Sequence, residues 1–215
     1  MPNIVTIIPA RGGSKNLKNK NIKLFSGKPL ISITIEQAKN SKLAGDVYIS
    51  TDSEKISKIA KKNSCTVIKR PKNLASDNSP SESALKHLLV SINRDDIDYV
   101  VFLQCTSPLR SSSDIDNAVK LIIKEKTNSL FSAVEFEDLT LWKQKNKKII
   151  PFNYSPSNRK TRQREGNYYI ENGSIYIFKP EVIFNNKNRL DLNSYSIFKM
   201  NKLKVFEIDD NNDFK

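Results

Sequence analysis

Five short segments of the sequence combine side chains suited to anions, polar ligands and a hard metal ion. The first covers residues 9–15, PARGGSK, and is followed by Lys20 and Asn21. Its two glycines let backbone N–H groups approach a phosphate closely, and its cations offset the phosphate charge. The spacing matches neither the Walker loop nor the GxGxxG dinucleotide fingerprint. We interpret this segment as an anion-binding loop, with a glycine turn among solvated lysines as the alternative.

The second and third segments each follow a predicted strand. In residues 70–77, RPKNLASD, Arg70 can donate to the acceptor edge of a pyrimidine, while Ser81 and backbone groups can meet an exocyclic amine. In residues 103–110, LQCTSPLR, Gln104 can hydrogen-bond substrate hydroxyls or a carboxylate from a rigid position. Ordinary polar loops are the alternative interpretation of both segments.

The fourth segment is a cluster of arginines at positions 159, 162 and 164, followed by ENGS at residues 171–174. The guanidinium group suits planar carboxylates and phosphates because it donates two parallel hydrogen bonds. A basic surface patch is the alternative.

The fifth segment is acidic, EIDD at residues 207–210. On a strand, Glu207 and Asp209 point to the same face. Two carboxylates at a strand end suit Mg²⁺, which takes few protein ligands and completes its shell with phosphates and water. A solvent-facing acidic chain end is the alternative.

The elements that must position these segments alternate between strand and helix. We predict strands over residues 4–8, 47–50, 66–69, 99–103, 130–135, 175–178 and 204–208, and helices over residues 30–43, 54–62, 81–92 and 113–125. Such alternation predicts an α/β fold, with a mostly parallel sheet covered by helices on both faces. Ligands bind such sheets beyond the carboxyl ends of the strands, where four of the five segments begin.

The region of residues 138–169 interrupts this alternation. It is polar, contains Trp142 and carries only short strand-like pieces. We interpret it as a protruding arm, either a β-hairpin or a small subdomain. The prediction is therefore a single domain over residues 1–215 with an arm at about residues 138–169.

Composition narrows the possible partners. The net charge is +13, but the lysines are scattered and no nucleic-acid-binding signature is present. No apolar stretch is long enough to cross a bilayer, and the apolar N-terminus is typical of a first strand rather than a signal peptide. The single histidine and two cysteines provide neither a multi-histidine metal site nor a disulfide scaffold. We expect a cytoplasmic protein that binds neither nucleic acid nor membrane.

Taken in order, ARGGSK with KN, RPxxLASD, LQxTSPLR, RQ with ENGSIY, and the acidic end resemble the acylneuraminate cytidylyltransferases, or CMP-sialic acid synthetases. The resemblance covers nearly the whole chain. It implies a nucleotide-binding α/β sheet of the nucleotide-diphospho-sugar transferase type with a dimerisation arm. It also implies a homodimer whose active sites are shared between subunits.

The resemblance assigns roles to particular residues. It implies that CTP is bound by Ala10, Arg11, Gly12, Gly13, Ser14, Lys20, Asn21, Arg70 and Ser81. It implies that the sugar acid is bound by Gln104 and Tyr176, together with Lys143 and Arg162 from the partner's arm. Glu207 and Asp209 take the metal positions, and Arg11, Lys20 and Asp209 are the candidate catalytic residues.

The reaction implied is transfer of CMP from CTP to the anomeric hydroxyl of a sialic-acid-like nine-carbon sugar acid, with Mg²⁺ as cofactor and release of pyrophosphate. The family usually has aspartate where this chain has Glu207, and some members have arginine where it has Ile170. Legionaminic or pseudaminic acid is therefore an alternative substrate, and Kdo a more distant one. An alternative of another class is a non-catalytic protein that binds sugar nucleotides or nucleic acid.

Overall fold

The apolar run near the N-terminus forms the first strand, β1 (Ile4–Pro9), because its β-branched residues are buried on both faces of the sheet. The computed structural model describes residues 2–13, 17–76, 78–137, 140–158, 167–186 and 188–214. The other strands are β2 (Leu24–Phe25), β3 (Lys28–Pro29), β4 (Asp46–Thr51), β5 (Thr66–Lys69), β6 (Tyr99–Leu103), β7 (Ser129–Phe136), β8 (Trp142–Lys145), β9 (Lys148–Pro151), β10 (Tyr168–Phe178) and β11 (Tyr195–Met200). The α-helices are α1 (Leu30–Asn40), α2 (Glu54–Lys62), α3 (Ser81–Ile92), α4 (Ser112–Glu125) and α5 (Pro180–Asn185).

Seven strands form the central sheet in the order β11-β7-β10-β6-β1-β4-β5. Strand β1 pairs in parallel with β4 and β6, and β4 pairs in parallel with β5. Strand β10 is antiparallel to both of its neighbours, whereas β11 is parallel to β7. The predicted mostly parallel sheet is confirmed. Because β1, β4, β5 and β6 run in one direction, their carboxyl ends meet at one edge.

Helices cover both faces of the sheet, as the alternation predicted. Successive residues of β1 point to opposite faces, so Ile8 enters one apolar cluster while Ile7 enters the other. The first cluster contains apolar residues of α1, α2 and α4, such as Ile35, Ile56 and Ile115. The second contains residues of α3 and α5, among them Leu88 and Ile183, two side chains that the sheet face shields from water.

Several elements differ from the prediction. Strand β10 begins at Tyr168, seven residues before the predicted strand over residues 175–178, and β11 and α5 were not predicted. Helix α1 ends at Asn40 rather than at residue 43, because Ser41 has an extended backbone and its hydroxyl donates to Asp116 at 2.6 Å. The predicted strand over residues 204–208 is wrong. Residues Lys202–Val205 form a 3-10 helix instead, which begins where the Asn201 side chain accepts the backbone N–H of Leu203.

The region predicted as an arm contains a β-hairpin. Strands β8 and β9 pair antiparallel with each other as a separate two-stranded sheet, with Trp142 opposite Pro151. The side chains of β8 are all exposed. A role of this hairpin in dimerisation stays a prediction. Among the helices within the described ranges, none has both the length and the apolar composition required to cross a lipid bilayer.

Candidate nucleotide-binding site

A cleft of about 290 Å³ lies at the carboxyl ends of β1, β5 and β6. Its lining includes predicted residues from several segments that are distant in the sequence: Arg11, Lys20, Asn21, Arg70, Ser81 and Gln104. These segments meet because the parallel strands that precede them end at the same edge of the sheet. The position is the one expected for a ligand site in an open α/β sheet.

The first loop is fixed at its base against the connection between β4 and α2. The backbone N–H of Ala10 donates to Ser50 O at 2.9 Å, which continues the parallel ladder beyond β1. Gly12 N donates to Asp52 Oδ1 at 2.8 Å. A methyl group on Gly12 would lie 2.8 Å from Ser53 Cβ, so this close approach requires glycine. No such contact surrounds Gly13.

The far side of the loop is also held in place. Asn21 Nδ2 donates to the carbonyl oxygen of Arg11 at 2.9 Å. This amide therefore fixes the backbone from which the Arg11 side chain leaves. Ser14, which we predicted to bind a phosphate, lies outside the described residues.

Arg70 is a buried cation in the cleft wall, with 6% of its surface exposed. Its Nε donates to Ser50 Oγ at 3.0 Å and its Nη2 donates to Ser50 O at 2.8 Å. Burial lowers the pKa of Arg70 to about 10, and the Asp52 carboxylate opposes that shift. The guanidinium is therefore still charged at neutral pH and is held in one orientation.

The acidic segment packs against the loop that follows β6. Ile208 N donates to Thr106 O at 2.8 Å. The Thr106 hydroxyl lies 3.4 Å from Glu207 Oε2 and 3.5 Å from Gln104 Oε1. Burial raises the pKa of the Glu207 carboxyl, and the nearby Asp209 carboxylate raises it further. The expectation that a strand aligns Glu207 and Asp209 is thus wrong, but an irregular segment brings both acids to this edge.

Asp209 connects the acidic segment to the cleft. Its Oδ1 accepts from Lys20 Nζ at 2.8 Å, and Lys20 itself lines the cleft. The Asp213 carboxylate accepts the backbone N–H groups of Asp209 and Asp210 at 2.7 and 2.8 Å, which closes a tight turn. The structure therefore brings together one predicted phosphate ligand and one predicted metal ligand.

The ENGS segment shapes the surroundings of Glu207. Gly173 has a φ of +61°, and a methyl group at this position would collide with the Glu207 carboxylate. Asn172 Nδ2 donates to Lys204 O at 2.9 Å, while its Oδ1 accepts from Ser132 Oγ at 2.6 Å. These contacts give the segment a structural role beside the acidic residues.

Two of the predicted sugar ligands, Tyr176 and Lys143, are described by the structure and do not line the cleft of this chain. Tyr176 is buried, its hydroxyl donates to Glu171, and its ring stacks on Phe102 with centroids 5.4 Å apart. Lys143 lies on the hairpin, with its Nζ 4.6 Å from the Phe152 ring centroid. Arg162 lies outside the described residues. The sugar-binding roles of all three stay predictions.

The sequence reasoning missed two arginines that support the cleft. Arg110 is buried and donates to Ser174 O at 2.7 Å and to Gln37 Oε1 at 3.0 Å. Burial lowers its pKa to about 10. Arg189 packs behind the cleft wall against Tyr176. The position of Arg110 in the LQCTSPLR segment could have indicated its role, whereas Arg189 lies outside all five segments.

A mostly parallel α/β sheet with a cationic cleft at its strand ends is the architecture of a nucleotide-binding transferase. A family model described as "Cytidylyltransferase" matches residues 5–214, and the chain belongs to this family. The family membership expected from the sequence motifs is confirmed.

Curated relatives support the same family. "Post-translational flagellin modification protein B" of Campylobacter coli is 35% identical over all of this chain and 93% of its own length. "N-acylneuraminate cytidylyltransferase A" of Danio rerio is 35% identical over 84% of this chain, but the match spans only 42% of that relative. "Pseudaminic acid cytidylyltransferase" of Campylobacter jejuni is 37% identical over 61% of this chain and 58% of that protein.

Among solved structures, CMP:2-keto-3-deoxy-manno-octonic acid synthetase in complex with CTP superimposes with a TM-score of 0.69. The sequences are 16% identical, and the match covers 92% of this chain and 90% of that one. At this identity the similarity shows the fold alone, and it confirms the predicted nucleotidyltransferase fold.

Proposed function

We propose that this chain transfers CMP from CTP to the anomeric hydroxyl of a sialic-acid-like nonulosonic acid and releases pyrophosphate. The observation that carries the proposal is the single cleft lined by Arg11, Lys20, Arg70 and Gln104, with Asp209 paired to Lys20 at its edge. The cleft and its edge thereby combine cations for a triphosphate, donors for a base and a carboxylate for a metal ion. Family membership and the names of the curated relatives support the same reaction.

We base the nucleotide half of the site on the contacts of the residues that line the cleft. Arg11 and Lys20 offset the phosphate charge, and the backbone near Gly13 gives close access to the phosphates. Arg70, whose orientation is fixed by Ser50, donates to the acceptor edge of cytosine, and Ser81 meets its exocyclic amine. A buried arginine held in one orientation discriminates a base without an entropic cost of ordering at the moment of binding.

The chemical step is an in-line displacement at the α-phosphorus. The anomeric oxygen forms a bond to that phosphorus, the bond to the pyrophosphate oxygen breaks, and the hydroxyl proton passes to solvent. We assign no side chain as a general base. The chain's contribution is positioning of the two substrates and stabilisation of the charge that develops on the phosphoryl oxygens. Arg11 and Lys20 are the residues that supply this stabilisation.

The donor set fits Mg²⁺. No group of three or more His, Cys, Asp or Glu side chains within the described ranges could hold a metal ion by itself. Glu207 and Asp209 offer two carboxylates, which suits an ion that is otherwise coordinated by phosphates and water. These two residues would hold the ion, which when bound neutralises phosphate charge.

The sugar half of the site involves a second copy of the chain. Gln104 lines the cleft and provides an amide to the sugar acid. Lys143 and Arg162 of the predicted arm reach the partner's site and meet the sugar carboxylate, and Tyr176 supports the site of its own chain from its buried position against Phe102. The hairpin exposes apolar side chains, with Trp142 53% and Ile149 70% exposed, and a homodimer interface would bury them.

The identity of the nonulosonic acid has a second candidate. The relative named pseudaminic acid cytidylyltransferase is 37% identical over 61% of this chain, and the one named for N-acylneuraminate is 35% identical over 84% of it. Ile170 also stands where some sialic acid enzymes have an arginine. Pseudaminic acid, or the related legionaminic acid, is therefore the alternative substrate.

The experiment is a pyrophosphate-release assay with CTP and Mg²⁺ on a panel of N-acetylneuraminic, pseudaminic and legionaminic acids and Kdo. We expect release with one of the first three, and none when the sugar is omitted. Lys20→Ala should reduce the rate at least about tenfold, because it removes one electrostatic group from the site. Lys28→Ala is the matched control, since Lys28 pairs with Glu36 on the surface. Absence of release with every sugar acid would contradict the proposed function.

A further inference from the structure

Arg189, in the segment between α5 and β11, contacts three elements behind the cleft wall. Its Nη1 lies 3.2 Å from Glu82 Oε1 and 3.3 Å from Ser81 Oγ, both in the first turn of α3. Its guanidinium carbon lies 4.2 Å from the ring centroid of Tyr176 and 5.3 Å from that of Phe102. The side chains of Arg189 and Glu82 are 18% and 20% exposed, so water screens this pair less than a surface pair.

Two of these contacts are with residues that line the cleft, Ser81 and Phe102. Helix α3 begins after Pro80, which supplies no side-chain cap to the first turn. Ser81 is the first residue of the helix and does not occupy the cap position itself. Arg189, which lies within the described part of the chain, donates a hydrogen bond to the Ser81 hydroxyl oxygen. The same guanidinium lies over the rings of Phe102 and Tyr176, and these contacts restrict its position.

We infer that Arg189 is a positioning residue for nucleobase recognition. It joins the first turn of α3 to the stacked rings of Phe102 and Tyr176, and so fixes the Ser81 hydroxyl relative to the base. The inference rests on the proposed function, in which Ser81 meets the exocyclic amine of cytosine. Discrimination between cytosine and uracil depends on polar groups that are paired for one base and left unpaired for the other. For Ser81 to discriminate between the two bases in this way, its hydroxyl must be held in one position.

A purely structural arginine offers a contrast. Arg94 also forms ion pairs, with Asp46 at 3.0 Å and Asp96 at 2.9 Å, but these lie near the amino ends of the strands, away from the cleft. If Arg189 only neutralised Glu82, its removal would lower stability in the way that removal of Arg94 does. A positioning role changes base preference as well.

The experiment measures dissociation constants for CTP and UTP by titration calorimetry in the wild-type chain and in Arg189→Met, Arg189→Lys, Glu82→Gln and Arg94→Met. Methionine retains the packing volume over the rings without the charge or the hydrogen bonds. We expect Arg189→Met to reduce the preference for CTP over UTP about tenfold, in line with the loss of one hydrogen bond to a charged group. Arg189→Lys should restore part of the preference, and Arg94→Met should leave it within about twofold, as expected for a site without shared contacts.

The possible outcomes separate the inference from the function on which it rests. A wild-type preference for CTP that Arg189→Met retains would overturn the positioning role and leave the proposed function intact. Wild-type protein that binds neither nucleotide would contradict the proposed function, and the role of Arg189 with it. If Arg189→Met does not fold, the positioning role is tested by the nucleotide preferences of Arg189→Lys and Glu82→Gln instead. The lysine variant must then show a reduced preference and the glutamine variant an unchanged one, since Glu82→Gln leaves the contact with Ser81 in place.

Discussion

The wall of the cleft and the acidic loop beside it are built in different ways. The strand-end wall, defined as residues 9–13 with Arg70 and Gln104, extends the parallel sheet. Ala10 N donates to Ser50 O, and Arg70 N donates to Thr51 O at 2.8 Å. The acidic loop, defined as residues 206–213, follows a 3-10 helix and belongs to no described strand. It is joined to the wall by the Ile208 backbone bond to Thr106 and by the Lys20–Asp209 ion pair.

This difference determines which property each side controls. Groups on the wall are held by the sheet before any ligand arrives, so they lower the cost of binding a nucleotide. Groups on the acidic loop are joined to the wall by a backbone hydrogen bond and an ion pair, so their arrangement depends more on what binds to them. Substitution of the base-binding group on the wall, Arg70, should therefore change affinity for CTP, whereas substitutions on the loop should change turnover and the demand for Mg²⁺.

The largest expected effect is on the loop. Asp209→Asn removes a carboxylate that pairs with Lys20 and that we propose as a metal ligand. We expect kcat to fall about 100-fold, the usual cost of losing one group that stabilises transition-state charge. The concentration of Mg²⁺ needed for half-maximal rate should also rise. Steady-state kinetics at several Mg²⁺ concentrations measure both changes.

The control for this prediction is the neighbouring acid. Asp210 accepts the backbone N–H of Asn212 at 2.6 Å, and an asparagine oxygen can accept the same bond. Asp210→Asn should therefore retain nearly full activity. Equal losses in the two variants would mean that the loop acts only through its total charge, and the distinction between wall and loop would fail.

A smaller effect is expected on the wall. Arg70→Met removes a fixed donor from the cleft, and we expect the dissociation constant for CTP to rise about 30-fold, as for a hydrogen bond from a charged group. Folding stability should fall only slightly, because an apolar side chain of similar length replaces the buried charge and, among its described acceptors, only the Ser50 hydroxyl loses its donor. Ser50 O still accepts from Ala10 N in the variant. Calorimetric titration with CTP and thermal unfolding measure the two properties.

Arg110 is the matched arginine for this test. Burial lowers the pKa of both Arg70 and Arg110 to about 10, but Arg110 donates to Ser174 O and Gln37 and does not line the cleft. Arg110→Met leaves several buried acceptors without a donor, which costs about 1–3 kcal/mol for each group. Stability should therefore fall. A loss of stability in Arg70→Met as large as in Arg110→Met would show that both arginines are structural.

Much of the wall could be predicted from the sequence because its signals are local. A β-branched run followed by glycines and cations, as in residues 4–15, predicts a buried strand and, after it, an anion-binding loop. Chemistry at the carboxyl ends of parallel strands then follows from topology. The structure accordingly places Arg11, Arg70 and Gln104 in one cleft.

The acidic loop could not be predicted in the same way. Residues 204–208 include Val205, Phe206 and Ile208, which favour a strand. The contacts that decide their conformation come from distant positions: Asn172 donates to Lys204 O, and Ile208 donates to Thr106 O. The stacking of Tyr176 on Phe102 and the position of Arg189 are equally non-local. Neither periodicity nor a motif indicates a contact between such distant residues. The sequence therefore did not predict the side chains that pack beneath the site residues and hold them in place.

The smallest expected effect concerns the anchor of the acidic loop. Lys204 Nζ donates to Asp114 Oδ2 at 2.5 Å, which holds the 3-10 helix against the first turn of α4. Burial alone would raise the pKa of Asp114, but hydrogen bonds from Lys204 and Ser111 outweigh it and hold the pKa below the ordinary value of 3.8. A carboxyl with a lowered pKa in the folded state stabilises the fold above the unfolded pKa, and this contribution is lost as the pH falls through the folded value.

Asp114→Asn should therefore lower the free energy of unfolding by about 1 kcal/mol at pH 7, where the wild-type carboxylate is fully ionised. The difference between the two proteins should shrink as the pH falls below about 4, since the wild-type carboxyl is then protonated as well. Urea unfolding at a series of pH values measures it. Asp95→Asn, at an exposed aspartate, should differ from wild type by less than about 0.5 kcal/mol throughout. A difference for Asp114→Asn that does not depend on pH would mean that the amide merely disturbs the start of α4, and that the loop has no electrostatic anchor.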